Sequence, residues 1–201
     1  MKKILVLDYE VGNLSSIINS LNNLRIEHIV SDKITEINKS EIMILPGVGS
    51  FNKTMEIIKK KKLFKPIKNA FKNGKKIVGI CVGMQILASY GEENAKTEGL
   101  DIIPGKVIKI PSHKDFFLPI MNWMKLRSRE NEDRYSINEE QFYFLHSYYF
   151  NLKNNINLLY HYELNNLTIP AIIKHKNVIG IQFHPEKSSD QGLELLRKIL
   201  K

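Results

Sequence analysis

The 201-residue sequence contains only one cysteine, Cys81, and this scarcity excludes several kinds of site. A single thiol cannot form a disulfide within the chain, nor can it build a zinc or iron–sulfur site from cysteine ligands. A chain without disulfides suits a reducing compartment, so we expect a cytoplasmic protein. Any reactivity of Cys81 must therefore come from the residues that surround it.

Long apolar runs are missing as well. The apolar run near the amino terminus, residues 4–7, meets Asp8 and is too short for the hydrophobic region of a signal peptide. No run approaches the roughly 20 apolar residues of a membrane-spanning helix. We therefore expect a soluble protein without a membrane partner.

Acidic residues are in the minority, because 21 Asp and Glu stand against 30 Lys and Arg, for a net charge of +9. Such an excess occurs in nucleic-acid-binding proteins, but here the basic segments are not interleaved with aromatic residues, as binding of single strands requires. We interpret the charge as solvated lysines and expect no nucleic-acid partner. An attraction for anionic substrates or for an acidic partner surface stays open.

The apolar pattern changes between the two halves of the chain. The first half alternates strands with helices, the strands at 3–8, 41–45 and 75–80 and the helices at 14–24 and at 51–73, broken near Pro66. The second half has consecutive strand-like segments at 141–150, 156–164, 167–175 and 177–183, then a helix at 189–201. The pattern predicts one three-layer α/β domain, 1–201, with a mostly parallel central sheet and added antiparallel strands.

Cys81 lies in the segment GICVG, residues 79–83, between a predicted strand and a predicted helix. Glycines on both sides of a nucleophile are the pattern of a nucleophile elbow, which would present the thiol at the carboxyl edge of the sheet. The following helix would favour the thiolate, and the amide of Val82 would donate to an oxyanion. A buried structural cysteine is the alternative, so the partner residues must decide.

His184 and Glu186 are the candidate partners of the thiol. They are two residues apart in GIQFHPEKS, residues 180–188, so an extended chain would point both to one side, and Pro185 restricts the backbone between them. A nucleophile, a base and a carboxylate that orients the base are what covalent acyl transfer needs. The alternative is an ordinary core or surface histidine, since the sequence has six.

The segment LPGVGSF, residues 45–51, ends the second predicted strand with two glycines around Val48. Such a loop can turn a backbone N–H towards the cysteine and complete an oxyanion hole. An ordinary strand-to-helix turn is the alternative. A phosphate-binding loop is disfavoured because no G-K-[ST] follows.

Together, GICVGMQ at 79–85 and the H-P-E at 184–186 resemble the class-I, triad-type glutamine amidotransferases. The resemblance implies the flavodoxin-like fold of that family. Within the family, the chain most resembles the glutaminase subunits of imidazole glycerol phosphate synthases. It runs along nearly the whole chain, through DYEVGNLSSI (8–17), LPGVGSF (45–51), YFLHSYYF (143–150) and GIQFHPEKSSDQGLELL (180–196).

This resemblance implies a reaction and a set of roles. The Cys81 thiolate attacks the side-chain amide of glutamine, His184 passes a proton to the leaving ammonia, and Glu186 holds His184; water then hydrolyses the γ-glutamyl thioester. The oxyanion hole would comprise backbone at Val48, Gly49 and Val82. The glutamine-binding residues would be Gly47, Gln85, Glu93, His146, Ser147 and Tyr148, with the last three acting through their backbone.

The resemblance also implies a heterodimer with a HisF-like (β/α)₈-barrel synthase that receives the ammonia. The products would be imidazole glycerol phosphate and AICAR, in histidine biosynthesis. No cofactor and no metal are implied. The partner surface would include Tyr9, Asn13, Met121, Trp123 and Lys187.

Two segments depart from the family pattern. The family's P-H-M-G-W-N is PIMNWM at 119–124, and its D-Y-G is DYE at 8–10. Because both segments belong, by resemblance, to the active-site mouth and the partner surface, another acceptor stays open, a barrel homologue that makes amidino sugars for surface glycans. The rival classes are a cysteine peptidase, disfavoured by the glutamine-pocket segments, and a non-catalytic module, disfavoured by the intact residues 81, 184 and 186.

Overall fold

The computed structural model describes residues 2–10, 14–129 and 133–201, in which short strands and helices alternate as far as Gln85. In chain order the elements are β1 (Ile4–Leu7), α1 (Leu14–Asn23), β2 (His28–Ser31), α2 (Ile34–Lys39), β3 (Ile42–Leu45), α3 (Phe51–Lys60), α4 (Phe64–Lys72), β4 (Lys76–Ile80), α5 (Val82–Gln85), β5 (Tyr90–Gly91), β6 (Thr97–Glu98), β7 (Gly105–Lys109), β8 (Ile120–Lys125), β9 (Arg127–Ser128), β10 (Gln141–His146), β11 (Tyr148–Leu152), β12 (Leu158–Leu164), β13 (Leu167–His175), β14 (Val178–Ile181) and α6 (Ser189–Leu200).

The main sheet of the described residues has the strand order β2-β1-β3-β4-β14-β13-β12-β9. Its first five strands are parallel, and β13, β12 and β9 continue it in antiparallel fashion. Every residue of β1, β3 and β14 is buried, as expected for parallel strands that are covered on both faces. Two smaller sheets pair β10 with β8 and order β11-β7-β5-β6.

Alternate residues of the parallel strands face two separate hydrophobic clusters. In β1, Ile4 and Val6 join the cluster that contains residues of α1 and α6, whereas Leu5 and Leu7 join the cluster that contains residues of α3 and α4. This is the period of two of a β-strand with helices on each face. The predicted three-layer α/β architecture with a mostly parallel central sheet is therefore confirmed.

Two predicted boundaries are wrong. The segment 51–73 is interrupted at Leu63, between α3 and α4, and not at Pro66, which is the third residue of α4. Proline is tolerated there because the first N–H groups of a helix have no acceptor within it. The segment 141–150 is two strands that pair in different sheets, β10 with β8 and β11 with β7.

The strand order places the candidate site. The loop after β3, the elbow after β4 and the segment after β14 follow three neighbouring parallel strands at their carboxyl ends. Ligand sites of open α/β sheets form along that edge. No helix in the described ranges has both the length and the apolarity to cross a bilayer.

Candidate active site

Cys81 occupies a sharp turn between β4 and α5. Its φ of 54° and ψ of −114° lie in a region that L-residues rarely adopt, and such backbone strain is typical of functional sites. The turn is held from both sides, because the Cys81 amide donates to Ile181 O at 2.7 Å and the Cys81 carbonyl accepts from Met84 N at 3.0 Å. The structure thus has the geometry of the predicted elbow.

The two flanking glycines are required by close backbone approach. A Cβ on Gly79 would lie within 3.0 Å of the carbonyl of Gly83, and a Cβ on Gly83 would lie within 3.0 Å of the carbonyl of Leu45. Real Cβ atoms do not come this close to backbone. The two glycines that flank Cys81 are therefore needed because β4, α5 and the end of β3 pack closely against one another.

The helix after Cys81 is short. α5 is a single turn, because the carbonyls of Ile86, Leu87 and Ala88 accept from amides of residues 100–103 instead of from a further helical turn. A helix dipole sums aligned peptide units, so a single turn supplies less stabilisation of a thiolate than a long helix would. A thiolate at Cys81 therefore needs stabilisation from groups other than α5.

His184 and Glu186 form a buried pair. His184 Nδ1 lies 2.8 Å from Glu186 Oε1, and the side chains are 2% and 5% exposed. The sequence suggested an extended segment, but residues 185–187 form a 3₁₀ turn. Ser188 anchors this turn by donating through Oγ to His184 O at 2.7 Å.

The surroundings of His184 favour its protonated form. Burial lowers its pKa, but the negative charges of Cys81 and Glu186 raise it more, to a net value of about 10. Nε2 of His184 is buried and has no hydrogen-bond partner within the described part of the chain. An imidazolium held by Glu186 through Nδ1 therefore keeps Nε2 free to give up its proton.

A cavity of about 270 Å³ brings most of the predicted site residues together. Its lining comprises Val48, Gly49, Cys81, Gln85, Glu93, Pro119, Leu145, His146, Ser147, Tyr148 and His184. Leu145 was not predicted, and Pro119 belongs to the segment 119–124 that was expected at the active-site mouth. Gly47 lies behind this lining, because a Cβ there would meet Cγ1 of Val82 within 3.0 Å, so its role is close packing against the elbow.

A buried tyrosine supports the loop that faces the thiol. Tyr9 is 1% exposed, and its hydroxyl donates to the carbonyl of Pro46, at the start of the Gly47–Gly49 turn. Burial and the negative charge of Cys81 raise the pKa of Tyr9, which keeps the hydroxyl protonated as a donor. Gly49 has a φ of 139°, which glycine adopts more readily than other residues.

Gln85 and His146 meet at one carbonyl. Gln85 Nε2 donates to Tyr148 O at 2.9 Å, and His146 Nδ1 lies 2.8 Å from the same oxygen. Burial lowers the pKa of His146 to about 4, partly offset by its bond to Tyr148, so the ring is neutral at pH 7. Nδ1 is then the donor, and Nε2 accepts from the hydroxyl of Tyr162 at 3.1 Å. Because both ring nitrogens are already hydrogen-bonded, only the backbone groups of His146 are available to bind a ligand.

Glu93 reaches the cavity from the segment after β5. Its Oε2 accepts a hydrogen bond from Phe51 N at 2.6 Å, at the first residue of α3. This contact fixes the carboxylate beside the Val48–Gly49 loop. An anchored carboxylate in a small cavity suits a ligand ammonium group.

The predicted partner surface is partly exposed. Met121 and Trp123 are 63% and 41% exposed on β8, and Lys187 is exposed beside the His184 turn. Tyr9 was predicted on this surface, but the structure corrects that prediction because its side chain is in the interior. Asn13 lies outside the described residues.

A larger groove lies away from this chemistry. It measures about 740 Å³ and is lined by residues 2–4, 22 and 25–29, at the amino ends of β1 and β2. This is the opposite edge of the parallel sheet from the elbow. The smaller cavity at Cys81 is the candidate active site because it alone, of these two, contains a nucleophile and a base.

Comparison with known proteins agrees with the geometry. The family model of the class-I glutamine amidotransferases matches residues 5–201. The chain is 38% identical to imidazole glycerol phosphate synthase subunit HisH of Halalkalibacterium halodurans, over 96% of this chain and 92% of the relative. It is 37% identical to the subunit of the same name from a Geobacillus species, over 96% and 93%.

Solved structures are similar in fold. A glutamine amidotransferase crystal structure superposes with a TM-score of 0.74 at 16% identity, and covers 98% of this chain and 96% of its own. The structure of PurLQS from Thermotoga maritima gives a TM-score of 0.74 at 20% identity, over 100% and 98%. At this level of identity the likeness concerns the fold alone.

Proposed function

The chain belongs to the class-I glutamine amidotransferase family, and on that premise we propose that its cavity releases ammonia from the side-chain amide of glutamine. The observation that carries the proposal is the elbow thiol of Cys81 beside His184, whose Nδ1 is held by Glu186 at 2.8 Å. These groups supply a nucleophile, a proton donor and an orienting carboxylate.

The first half-reaction forms a thioester. The thiolate Sγ bonds to the amide carbon of glutamine, and the carbonyl electrons move to oxygen. When the oxyanion collapses, the C–N bond breaks and the leaving nitrogen takes a proton from His184 Nε2, so ammonia departs. The high pKa of His184 supports this role, because the imidazolium is present at neutral pH.

The second half-reaction restores the enzyme. Water attacks the thioester carbon and gives a proton to His184 Nε2, then the C–S bond breaks and glutamate is released. The thiolate and the imidazolium are thereby regenerated. Backbone amides of Val82 and of the Val48–Gly49 loop are the proposed donors to both oxyanions, and the Tyr9 contact with Pro46 stabilises that loop.

The proposed orientation of glutamine follows from charge. Its ammonium faces Glu93, and its side chain extends towards Cys81 along the backbone of residues 146–148. Gln85 lines the cavity and is held by Tyr148 O, so it presents a fixed polar group. These roles are supported by the shared cavity and by the family resemblance.

We further propose that the protein is the glutaminase subunit of an imidazole glycerol phosphate synthase and passes ammonia to a (β/α)₈-barrel partner. The names of the two relatives support a subunit role. A sealed route is chemically useful because ammonia protonates in water. The exposed Met121 and Trp123, next to the cavity residue Pro119, are the proposed contact surface.

The test measures glutamate release with and without the histidine-pathway barrel synthase of the same organism, with its ligand bound. Strong stimulation in the wild type, lost in Trp123→Ala, is expected. Ile156→Ala is the matched control, because Ile156 is 72% exposed and lies elsewhere in the chain. Stimulation only by an amidino-sugar barrel homologue would assign the altered segment 119–124 to that pathway instead.

A further inference from the structure

Gln182 is a fully buried polar side chain next to the nucleophile. It follows β14 and lies two residues before His184, and its exposure is 0%. Its backbone N–H is used in the sheet, donating to Ala171 O at 2.9 Å. A buried amide side chain must find hydrogen-bond partners, because an unsatisfied one is costly.

The partners of Gln182 are Gln85 and Cys81. Gln85 Nε2 lies 3.1 Å from Gln182 Oε1, and Gln182 Nε2 lies 4.0 Å from Cys81 Sγ. The side chain thus connects the polar residue at the end of α5 with the sulfur at its start.

The orientation of both amides is fixed by Tyr148. Its carbonyl can only accept, so the Gln85 group that faces it must be the NH₂. The second hydrogen of that NH₂ is then directed to Gln182, so the oxygen of the Gln182 side chain must be the acceptor. The nitrogen of Gln182 is therefore the atom that faces the sulfur, and it has hydrogens to donate.

We infer that Gln182 is a further catalytic residue, whose side-chain amide donates a hydrogen bond to the thiolate of Cys81. The inference rests on the proposed function, because it assigns a role within the same reaction. It accounts for an isolated polar residue in an otherwise apolar strand end, VIGIQF at 178–183. It also supplies support that the single turn of α5 lacks.

The donor acts in two states of the reaction. In the resting enzyme it stabilises the negative sulfur and holds Sγ towards the cavity, since hydrogen bonds to charged acceptors are stronger than neutral ones. During thioester hydrolysis the same bond stabilises the sulfur as it leaves with its electron pair. A variant without the donor should therefore form less thiolate at a given pH.

The test is the pH profile of alkylation by iodoacetamide. Cys81 is the only cysteine, so the labelled thiol is unambiguous. Gln182→Met keeps side-chain length, and its thioether is a weak acceptor for Gln85 but no donor. Its alkylation profile should lie at higher pH than that of the wild type, with labelling slowed about tenfold at pH values where the wild-type rate still rises with pH. Glutamate release should lose kcat with little change in KM.

Ile172→Val is the matched control for a general loss of packing in the core. Ile172 is fully buried on β13, opposite Ile181. The Ile172→Val variant should have the same alkylation profile as the wild type. If Gln182→Met does not fold, as judged by its thermal transition, Gln182→Leu gives the same comparison, because leucine also lacks a donor and adds no charge beside the sulfur.

Failure of the inference is distinguishable from failure of the proposed function. A profile for the Gln182 variant that overlays the wild type, while Cys81-dependent glutamate release persists in the wild type, overturns the role of Gln182 alone. A shifted profile in a protein that never releases glutamate supports the Gln182 contact and overturns the proposed reaction.

Discussion

His184 Nδ1 is 2.8 Å from Glu186 Oε1, and both side chains are buried. The contact fixes which ring nitrogen faces the carboxylate and leaves Nε2 for the cavity. It also raises the pKa of His184, together with Cys81 and against the effect of burial. The proton balance of the site therefore depends on a carboxylate that does not line the cavity.

Glu186→Gln should lower kcat for glutamate release by about a hundredfold or more, because the neutral amide no longer stabilises the imidazolium. The pKa of His184 should fall from about 10 towards its ordinary range, so the imidazolium is lost at a lower pH. An NMR titration of the imidazole measures this shift. Glu194→Gln, at an exposed pair with Arg197, is the control and should leave the titration unchanged.

His146 should make stability depend on pH below neutrality. Its folded-state pKa is about 4, below the ordinary 6.5, so between these values the unfolded chain binds more protons. The contribution of neutral His146 to the free energy of unfolding is fully present above pH 6.5 and is lost as the pH falls through 4. Between pH 7 and pH 5 we expect a loss on the order of 2 kcal/mol.

Urea unfolding at pH 7 and pH 5 measures this loss. His146→Phe should reduce the difference between the two pH values by about that amount. Tyr162→Phe, which removes the hydroxyl bonded to Nε2 but keeps the histidine, should retain it. An unchanged difference in His146→Phe would show that other groups carry the acid sensitivity.

Tyr9→Phe should weaken the oxyanion loop. The variant keeps the ring in the core but loses the bond to Pro46 O, which costs about 1 kcal/mol of stability. Because the loop carries the proposed donors to the oxyanion, kcat should fall by roughly tenfold with a smaller change in KM. Steady-state glutamate release measures both constants.

Tyr160→Phe is the matched control for this change. Its hydroxyl donates to Asp133 Oδ1 at 2.8 Å and accepts from Tyr135 N at 2.8 Å, so the substitution also removes hydrogen bonds of a tyrosine hydroxyl. It should lower stability by at least as much as Tyr9→Phe and leave kcat intact. Equal losses of kcat in the two variants would contradict a specific role for Tyr9.

Gly83→Ala should disrupt the elbow. The added Cβ would meet the carbonyl of Leu45 well inside 3.0 Å, and rigid backbone cannot yield, so a loss of about 3 kcal/mol or more is expected. Gly74→Ala is the contrast, because it has open space and a φ of 77° and should cost only about 1 kcal/mol. Thermal unfolding compares them, and similar transitions would argue against tight packing at the elbow.

The parts of the site that sequence could predict are local. The glycines on both sides of Cys81 and the two-residue spacing of His184 and Glu186 lie within short segments, so the elbow and the His184–Glu186 pair were predictable, although the pair lies on a 3₁₀ turn and not on extended chain. The parallel core was predictable for the same reason, since buried strands and amphipathic helices carry their own periodicities. These features held in the structure.

The features that the sequence analysis missed or misplaced depend on contacts between residues far apart in the chain. α5 is short because residues 100–103 take the carbonyls that a longer helix would use. Tyr9 is buried, and its hydroxyl donates to Pro46 O, 37 residues further along the chain. Gln182 is a single polar residue in the strand-like segment 177–183, and only the fold places it between Gln85 and Cys81. No local pattern contains such contacts.

The most direct measurement is trapping of the covalent intermediate. Wild-type protein is mixed with glutamine, quenched rapidly in acid and digested, and the peptide that contains Cys81 is weighed by mass spectrometry. One γ-glutamyl group on Cys81, with no adduct and no glutamate release in Cys81→Ala, is the predicted result. Glutamate release that persists in Cys81→Ala would contradict thioester chemistry at this site.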